Sequence, residues 1–371
     1  MSIANEIAAA DKLSQNVNLS VEKSPVCHRI VLEFIGNRAC CIAVPSIKPA
    51  KRPERKGKPL GNRVSGIAVG PDKPETIRFS YSTEDQPALQ RALIRTIEFV
   101  GGQRRLKRLY DRRNAARWPG ETFFDAAVRL LSLDVQIDEA CLADIPCEGP
   151  LVFVANHPYG VLDGVVLTWL ALKVRPDTKV LANGVLNNVP EAQDYLLPVD
   201  FSETREARAV NIASRKAAQD WLNDGHAIGI FPGGGVSTSE KPLRGAALDL
   251  PWAPFTAKLI RSSGATVLPV HFSGQNSRLF QIASHLSLTL RLSLIFRETA
   301  RRIGTRLDVR IGQPIPFADL AHLSDRADLV AELRRITFAM APQNHIDWMR
   351  HGRIKEAATS KAKVEKPRTI A

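Results

Sequence analysis

No apolar run in this chain is long enough to cross a bilayer. The best, "VVLTWLALKV" at 165–174, falls well short of the roughly 20 residues that a spanning helix needs, so any work at a membrane is expected from its surface. Cysteine is scarce: Cys27, Cys40, Cys41, Cys141 and Cys147 are odd in number, scattered, and form no pair of CxxC units at zinc spacing. That argues against a disulfide framework and for a reducing setting, expected to be the cytoplasm. His157, His226, His271 and His285 fall in different expected elements with no HExxH or Cys/His pattern, so no metal site is expected. There is no Gly-x-Ser-x-Gly elbow to present a serine nucleophile. The opening "MSIANEIAAADKLSQNVNLSVEKS" is polar and lacks a continuous apolar stretch, so a secretory leader is not expected.

What is present is enough apolar material for a core. At 371 residues and 44% hydrophobic, the chain suits one large domain or two ordinary ones. The formal charge of +13 asks for an anionic partner: nucleic acid, an anionic membrane surface, or a phosphorylated or CoA-type substrate. Nucleic acid is not expected, because the basic stretches lack a helix-turn-helix pattern and interleaved aromatics.

Residues 1–85 read as an arm or small appendage, with "KPAKRPERKGKPLGNR" as a basic Pro/Gly linker. Residues 86–348 read as the main domain and 349–371 as a basic, mobile tail. From Pro87, "PALQRALIRTIEFVGG" has helical spacing at Leu89, Leu93, Ile97 and Val100, with glycines as the stop. The next helix carries seven basic residues and one acid between Arg104 and Arg117. Its stripe of Leu106, Leu109 and Tyr110 suits either a membrane surface or the domain core. A third helix follows in "ETFFDAAVRLLSL". From Gly149 strands and helices alternate: "LVFVAN", "KVLAN", "AIGIFPGGG", "TVLPVHFSG" and "RLDVRIGQPIP" are strands with helices between. That order predicts an α/β domain with a mostly parallel central sheet flanked by helices, its site where strands hand over to loops.

At the end of the first strand, "FVANHPYGVLDG" places His157 six positions before Asp163. On a continuous helix that separation is about 120° of arc, so the side chains meet only if Pro158–Gly160 forms a turn. If they meet, the carboxylate fixes the imidazole tautomer and the other ring nitrogen is a base. Otherwise Asp163 is a helix cap and His157 a loop residue. Downstream, Gly233, Gly234 and Gly235 follow a buried strand and suit an oxyanion or phosphate cradle of backbone N–H groups, or simply a turn. No Gly-Lys-Ser/Thr follows, so it is not a P-loop.

The sequence of blocks resembles the glycerolipid (lysophospholipid and glycerol-phosphate) acyltransferase family, and most closely its haemolysin-like branch, over about residues 87–345. The counterparts are His157 and Asp163, then Phe231-Pro232-Gly233-Gly234-Gly235-Val236-Ser237, then Val267-Leu268-Pro269-Val270. The departures are one extra residue between His157 and Asp163, Gly233 in place of a glutamate, and Val236 in place of an arginine. The resemblance implies a glycerol-phosphate-acyltransferase-like fold. It also implies transfer of a fatty acyl group from acyl-CoA or acyl carrier protein, as co-substrate, to the hydroxyl of a lysolipid such as lysophosphatidic acid or a lyso-aminolipid. His157 and Asp163 would be catalytic, Gly233 to Gly235 the oxyanion loop, and Asn156, Arg205, Arg208, Ser237, Lys241 and Arg244 substrate contacts. No cofactor or metal is implied, and the setting would be the inner face of the cytoplasmic membrane. The competing expectation is a non-catalytic lipid- or acyl-carrier-binding protein that kept the fold.

Overall fold

The computed structural model describes residues 80 and 82 and residues 87–341, apart from 116–117, 138–141, 184–185, 187 and 203. The chain divides into two units, Met1–Pro74 and Glu75–Ala371, and every described residue belongs to the second. The expected arm, save Ser80 and Ser82, and the expected tail lie outside the described residues.

Three helices come first: α1 (Ala88–Val100), α2 (Gln103–Ala115) and α3 (Phe123–Leu130). Then β1 (Asp134–Gln136), β2 (Leu151–Ala155), α4 (Val161–Val174), β3 (Lys179–Asn183), β4 (Leu196–Val199), α5 (Arg205–Asn223) and β5 (Ala227–Ile230) follow. A hairpin, β6 (Thr238–Lys241) and β7 (Arg244–Leu248), precedes α6 (Pro254–Ser263), β8 (Thr266–Phe272), α7 (Arg278–Leu286), α8 (Leu288–Arg301), β9 (Arg306–Ile311), a single turn α9 (Phe317–Leu320) and α10 (Arg326–Ala339).

Seven strands form one sheet in the order β1-β9-β8-β2-β5-β3-β4, parallel throughout except where β8 meets β9. The centre of that order falls on β2, whose five residues are all fully buried. A strand covered on both faces reads as an unbroken apolar run, which is why "LVFVA" shows no polar alternation. Successive side chains still point opposite ways. Val152 and Val154 pack with Ala218, Leu222, Leu259 and Leu333 of α5, α6 and α10. Leu151, Phe153 and Ala155 pack with Leu162, Val166 and Leu170 of α4 on the other face.

Helix α2 turns its stripe inward. Leu106 and Leu109 pack against the α4-side core, and Tyr110 donates to Glu191 at 2.9 Å. Arg113 is buried with Glu191 as its ion partner, while Arg104, Arg105, Arg108 and Arg112 stay exposed. Of the two expectations for this stripe, the core wins. Apolar side chains are left uncovered next door, as at several other places on the surface: on α1, Leu89 is 85% and Leu93 48% exposed, and at the start of α8 Leu288 is 64% exposed. Gln90 Nε2 donates to Thr289 Oγ1 at 2.8 Å, which ties those two elements together.

Five features were not expected from the sequence: β1, β4, the β6–β7 hairpin, α7 and the single turn α9. Each is short, and none of the three sheet elements has the apolar run that marks β2.

Candidate active site

Parallel strands end on one edge, and β2 delivers Asn156 and His157 there. Asn156 is buried and spends its amide on β8: Nδ2 donates to the Phe272 carbonyl at 2.9 Å and Oδ1 accepts from Phe272 N at 2.7 Å. It clamps the two strand ends, and both of its amide atoms are engaged with the β8 main chain. His157 then leaves the sheet with both backbone groups held. Its N–H donates to Asp249 Oδ1 at 3.1 Å, and its carbonyl accepts from Ser237 N at 2.7 Å. The ring lies 4.3 Å from that of Phe231, centroid to centroid, at 31°.

The turn that follows depends on Gly160. Its φ of 84° is strained for any residue with a side chain, and a Cβ there would stand 3.1 Å from Val236 Cγ2. Helix α4 starts at the next residue and presents Asp163 in its first turn, fully buried. Asp163 Oδ2 accepts from Tyr159 N at 2.7 Å and Gly160 N at 3.0 Å, so the carboxylate fastens the turn. The Tyr159 phenol, pushed up to about 12 mainly by burial, stays protonated and donates to the Ser273 carbonyl at 2.6 Å.

The turn brings the pair together. His157 Nδ1 stands 3.1 Å from Asp163 Oδ2, in contact but off the line of a well-directed hydrogen bond. Asp163 Oδ1 is buried without a partner. The His157 side chain is 18% exposed, and its other nitrogen, Nε2, has no hydrogen-bond partner among the described residues. Burial pushes the Asp163 carboxyl above its ordinary value, and contact with His157 and the two backbone donors pulls it back only in part. A proton on the imidazole would place a positive charge against that buried carboxylate, which sits on the Nδ1 side of the ring and leaves Nε2 to face a substrate.

The glycine loop lies against the same residues. Gly234, with φ 68°, donates to the Phe231 carbonyl at 3.0 Å. The N–H groups of Gly233 and Gly235 have no acceptor among the described residues. Ser237 is buried and its hydroxyl donates to Asp249 Oδ1 at 2.5 Å, so it braces the loop. Asp249 itself went unnoticed in the sequence. It is fully buried among donors, with Trp252 Nε1 giving a third bond at 3.0 Å to Oδ2, and burial pushes its carboxyl up as well. Its only signal is an acid among apolar neighbours in "ALDLPW", and nothing in the spacing says that it folds back onto His157.

The remaining expected contacts are dispersed. Arg205 and Arg208 are exposed at the start of α5, after β4, which is three strand spacings of about 4.8 Å from β2. Lys241 and Arg244 are exposed and paired across the tip of the hairpin. None of these four is hydrogen-bonded to His157.

Residues 102–347 match a family model described as Acyltransferase. Over 208 residues the chain is 27% identical to a lyso-glycine lipid O-acyltransferase of Phocaeicola vulgatus, covering 53% of this chain and 70% of that one. Over 206 residues it is 26% identical to a protein of the same name from Bacteroides thetaiotaomicron, covering 53% and 72%. Among solved structures, the 1-acyl-sn-glycerophosphate (LPA) acyltransferase PlsC from Thermotoga maritima is similar at 16% identity and a TM-score of 0.37. That match covers 69% of this chain and 80% of the other, and is too loose a likeness to carry an argument.

Proposed function

The chain belongs to the acyltransferase family, and from that premise we propose that it moves a fatty acyl group from a thioester to the hydroxyl of a lysolipid. The observation that carries this reading is the His157–Asp163 pair, with one ring nitrogen against a buried carboxylate and the other unblocked, beside a loop with unspent N–H groups. His157 Nε2 takes the proton of the acceptor hydroxyl as its oxygen attacks the thioester carbonyl. The N–H groups of Gly233 and Gly235 meet the negative charge that develops on the carbonyl oxygen. The C–S bond then breaks, the thiolate leaves with the proton returned by the imidazolium, and the products are an ester and a free thiol. No covalent acyl-enzyme is required, and no cofactor takes part beyond the donor, acyl-CoA or acyl carrier protein.

The lysolipid as acceptor is supported by the names of the two relatives. The membrane as workplace is supported by the surface. Among the described residues no helix is long and apolar enough to cross a membrane. Exposed leucines on α1 and α8 accompany a chain of formal charge +13, a combination suited to lying on anionic lipid.

Transfer of a radiolabelled acyl group to a lysolipid tests the proposal. His157→Ala is expected to lower the rate by about 10²–10⁴, the usual worth of a positioned general base, with the melting temperature little changed. Equal background counts from the wild type and the variant would leave only a lipid- or carrier-binding protein.

A further inference from the structure

Helix α8 sets a cation beside the glycine loop with no carboxylate among the described residues bonded to it. Arg291 Nη2 donates to the Val236 carbonyl and stands 3.5 Å from where a Cβ on Gly235 would be. Val236 precedes Ser237, whose N–H is bonded to the His157 carbonyl, so the guanidinium grips the same segment that holds the imidazole. Its carbon lies 5.8 Å from the centroid of Phe280. Arg291 is partly buried, and no acidic group raises its pKa, which burial alone pushes down.

A cation withdrawn from water without a counter-charge is costly. A guanidinium also has five N–H donors, of which one carbonyl satisfies one. The next part of the segment shows the same imbalance. Gln281 is buried, its Oε1 accepts from Ser239 N at 2.8 Å, and its Nε2 has no partner. Donors therefore outnumber acceptors along residues 236–239.

We propose that Arg291 binds a carboxylate or phosphate oxyanion of a substrate whose reacting end lies at His157. The inference rests on the acyl-transfer reading and says which substrates the site prefers: those with an anion within reach of the reacting group. Its fork of donors suits either oxyanion. The anion has two possible sources, the acceptor's headgroup and the donor's nucleotide phosphates.

The full chain, Arg291→Ala and Arg291→Lys are compared on two substrate pairs. One is an N-acylglycine lysolipid with a free carboxylate against its methyl ester. The other is palmitoyl-CoA against palmitoyl-pantetheine, which lacks the nucleotide phosphates. Arg291→Ala is expected to raise KM about 10- to 100-fold for the charged member of one pair and little for its uncharged partner, the worth of a charge-assisted hydrogen bond. Arg291→Lys should recover part of the loss. The pair that shows the selectivity identifies the source. A loss spread evenly over all four substrates, or no loss, would overturn the site and leave Arg291 as a strut for Val236. Equilibrium binding of the carboxylate and its ester separates the two readings. Arg291-dependent preference for the carboxylate without any acyl transfer would overturn the transferase and keep the anion site. Transfer with unchanged KM ratios would do the reverse.

Discussion

Gly233 shows how one residue reports on another. A Cβ at this position would stand 3.0 Å from the Asp249 Cβ and 3.2 Å from its carboxyl, so the glutamate of the wider family has no room here. A carboxylate occupies the place all the same, supplied by Asp249. Gly233→Ala is therefore expected to cost about 1–3 kcal/mol of stability, the usual penalty of overpacking. Gly235→Ala, with only an ordinary 3.5 Å contact, should melt like the wild type. Thermal melts of the two variants check the contrast. Asp249→Asn gives a pH test. The Asp249 carboxyl is pushed up by burial, so the folded chain holds its proton more tightly than the unfolded chain. Its contribution to stability is whole below about pH 4 and drains away as the pH rises through the raised value. Asparagine does not titrate, yet it turns an N–H₂ group toward a donor. The variant should melt lower than the wild type in acid, with the gap narrowing toward neutral pH; a gap that widens would contradict the buried-carboxylate account. His157 and Asp163 were legible as candidates because their strand, turn glycine and helix are adjacent in sequence. Asp249 and Arg291 were not: Asp249 returns through a hairpin that the sequence does not announce and meets a histidine 92 residues earlier, and Arg291 reaches the loop from 55 residues away.

At the scale of elements, the turn from His157 to Gly160 sets the site. Gly160 combines a left-handed φ with close approach to Val236, so Gly160→Ala must move either the turn or the loop. Activity should fall by at least about tenfold, since small misplacements of a catalytic group are expensive. Restored activity with Val236→Ala in the same chain would mark the clash as the cause. Strands with long apolar runs and helices with clean spacing were readable: β2, β3, β5, β8, β9 and all the long helices lie where their patterns put them. The hairpin β6–β7 was hidden because "TSEK" and "RGAAL" show neither period, and its pairing is made by backbone bonds that leave little trace in side-chain chemistry.

For the whole molecule, the described unit combines a closed core with an open apolar rim. Its sheet is covered on both faces, while Leu89, Leu93 and Leu288 stay uncovered beside exposed arginines. If this rim meets lipid, Leu89→Glu combined with Leu288→Glu should weaken sedimentation with phosphatidylglycerol vesicles at least about tenfold, close to the worth of burying one leucine. Transfer to a short-chain, water-soluble acceptor should be unaffected. Net charge pointed to an anionic partner without ranking the choices, and the sequence left the α2 stripe open between lipid and core. An amphipathic pattern says that a helix has an apolar side, and only the packing says whether that side is already taken.

Asp249 has one more consequence. A single buried carboxyl group tethers the His157 main chain and, through Ser237, the end of the glycine loop. The base and the loop are thus harnessed to one post. A guest settling over the glycines would tug the imidazole along, so arrival of one reactant can be felt by the group that activates the other without any separate hinge.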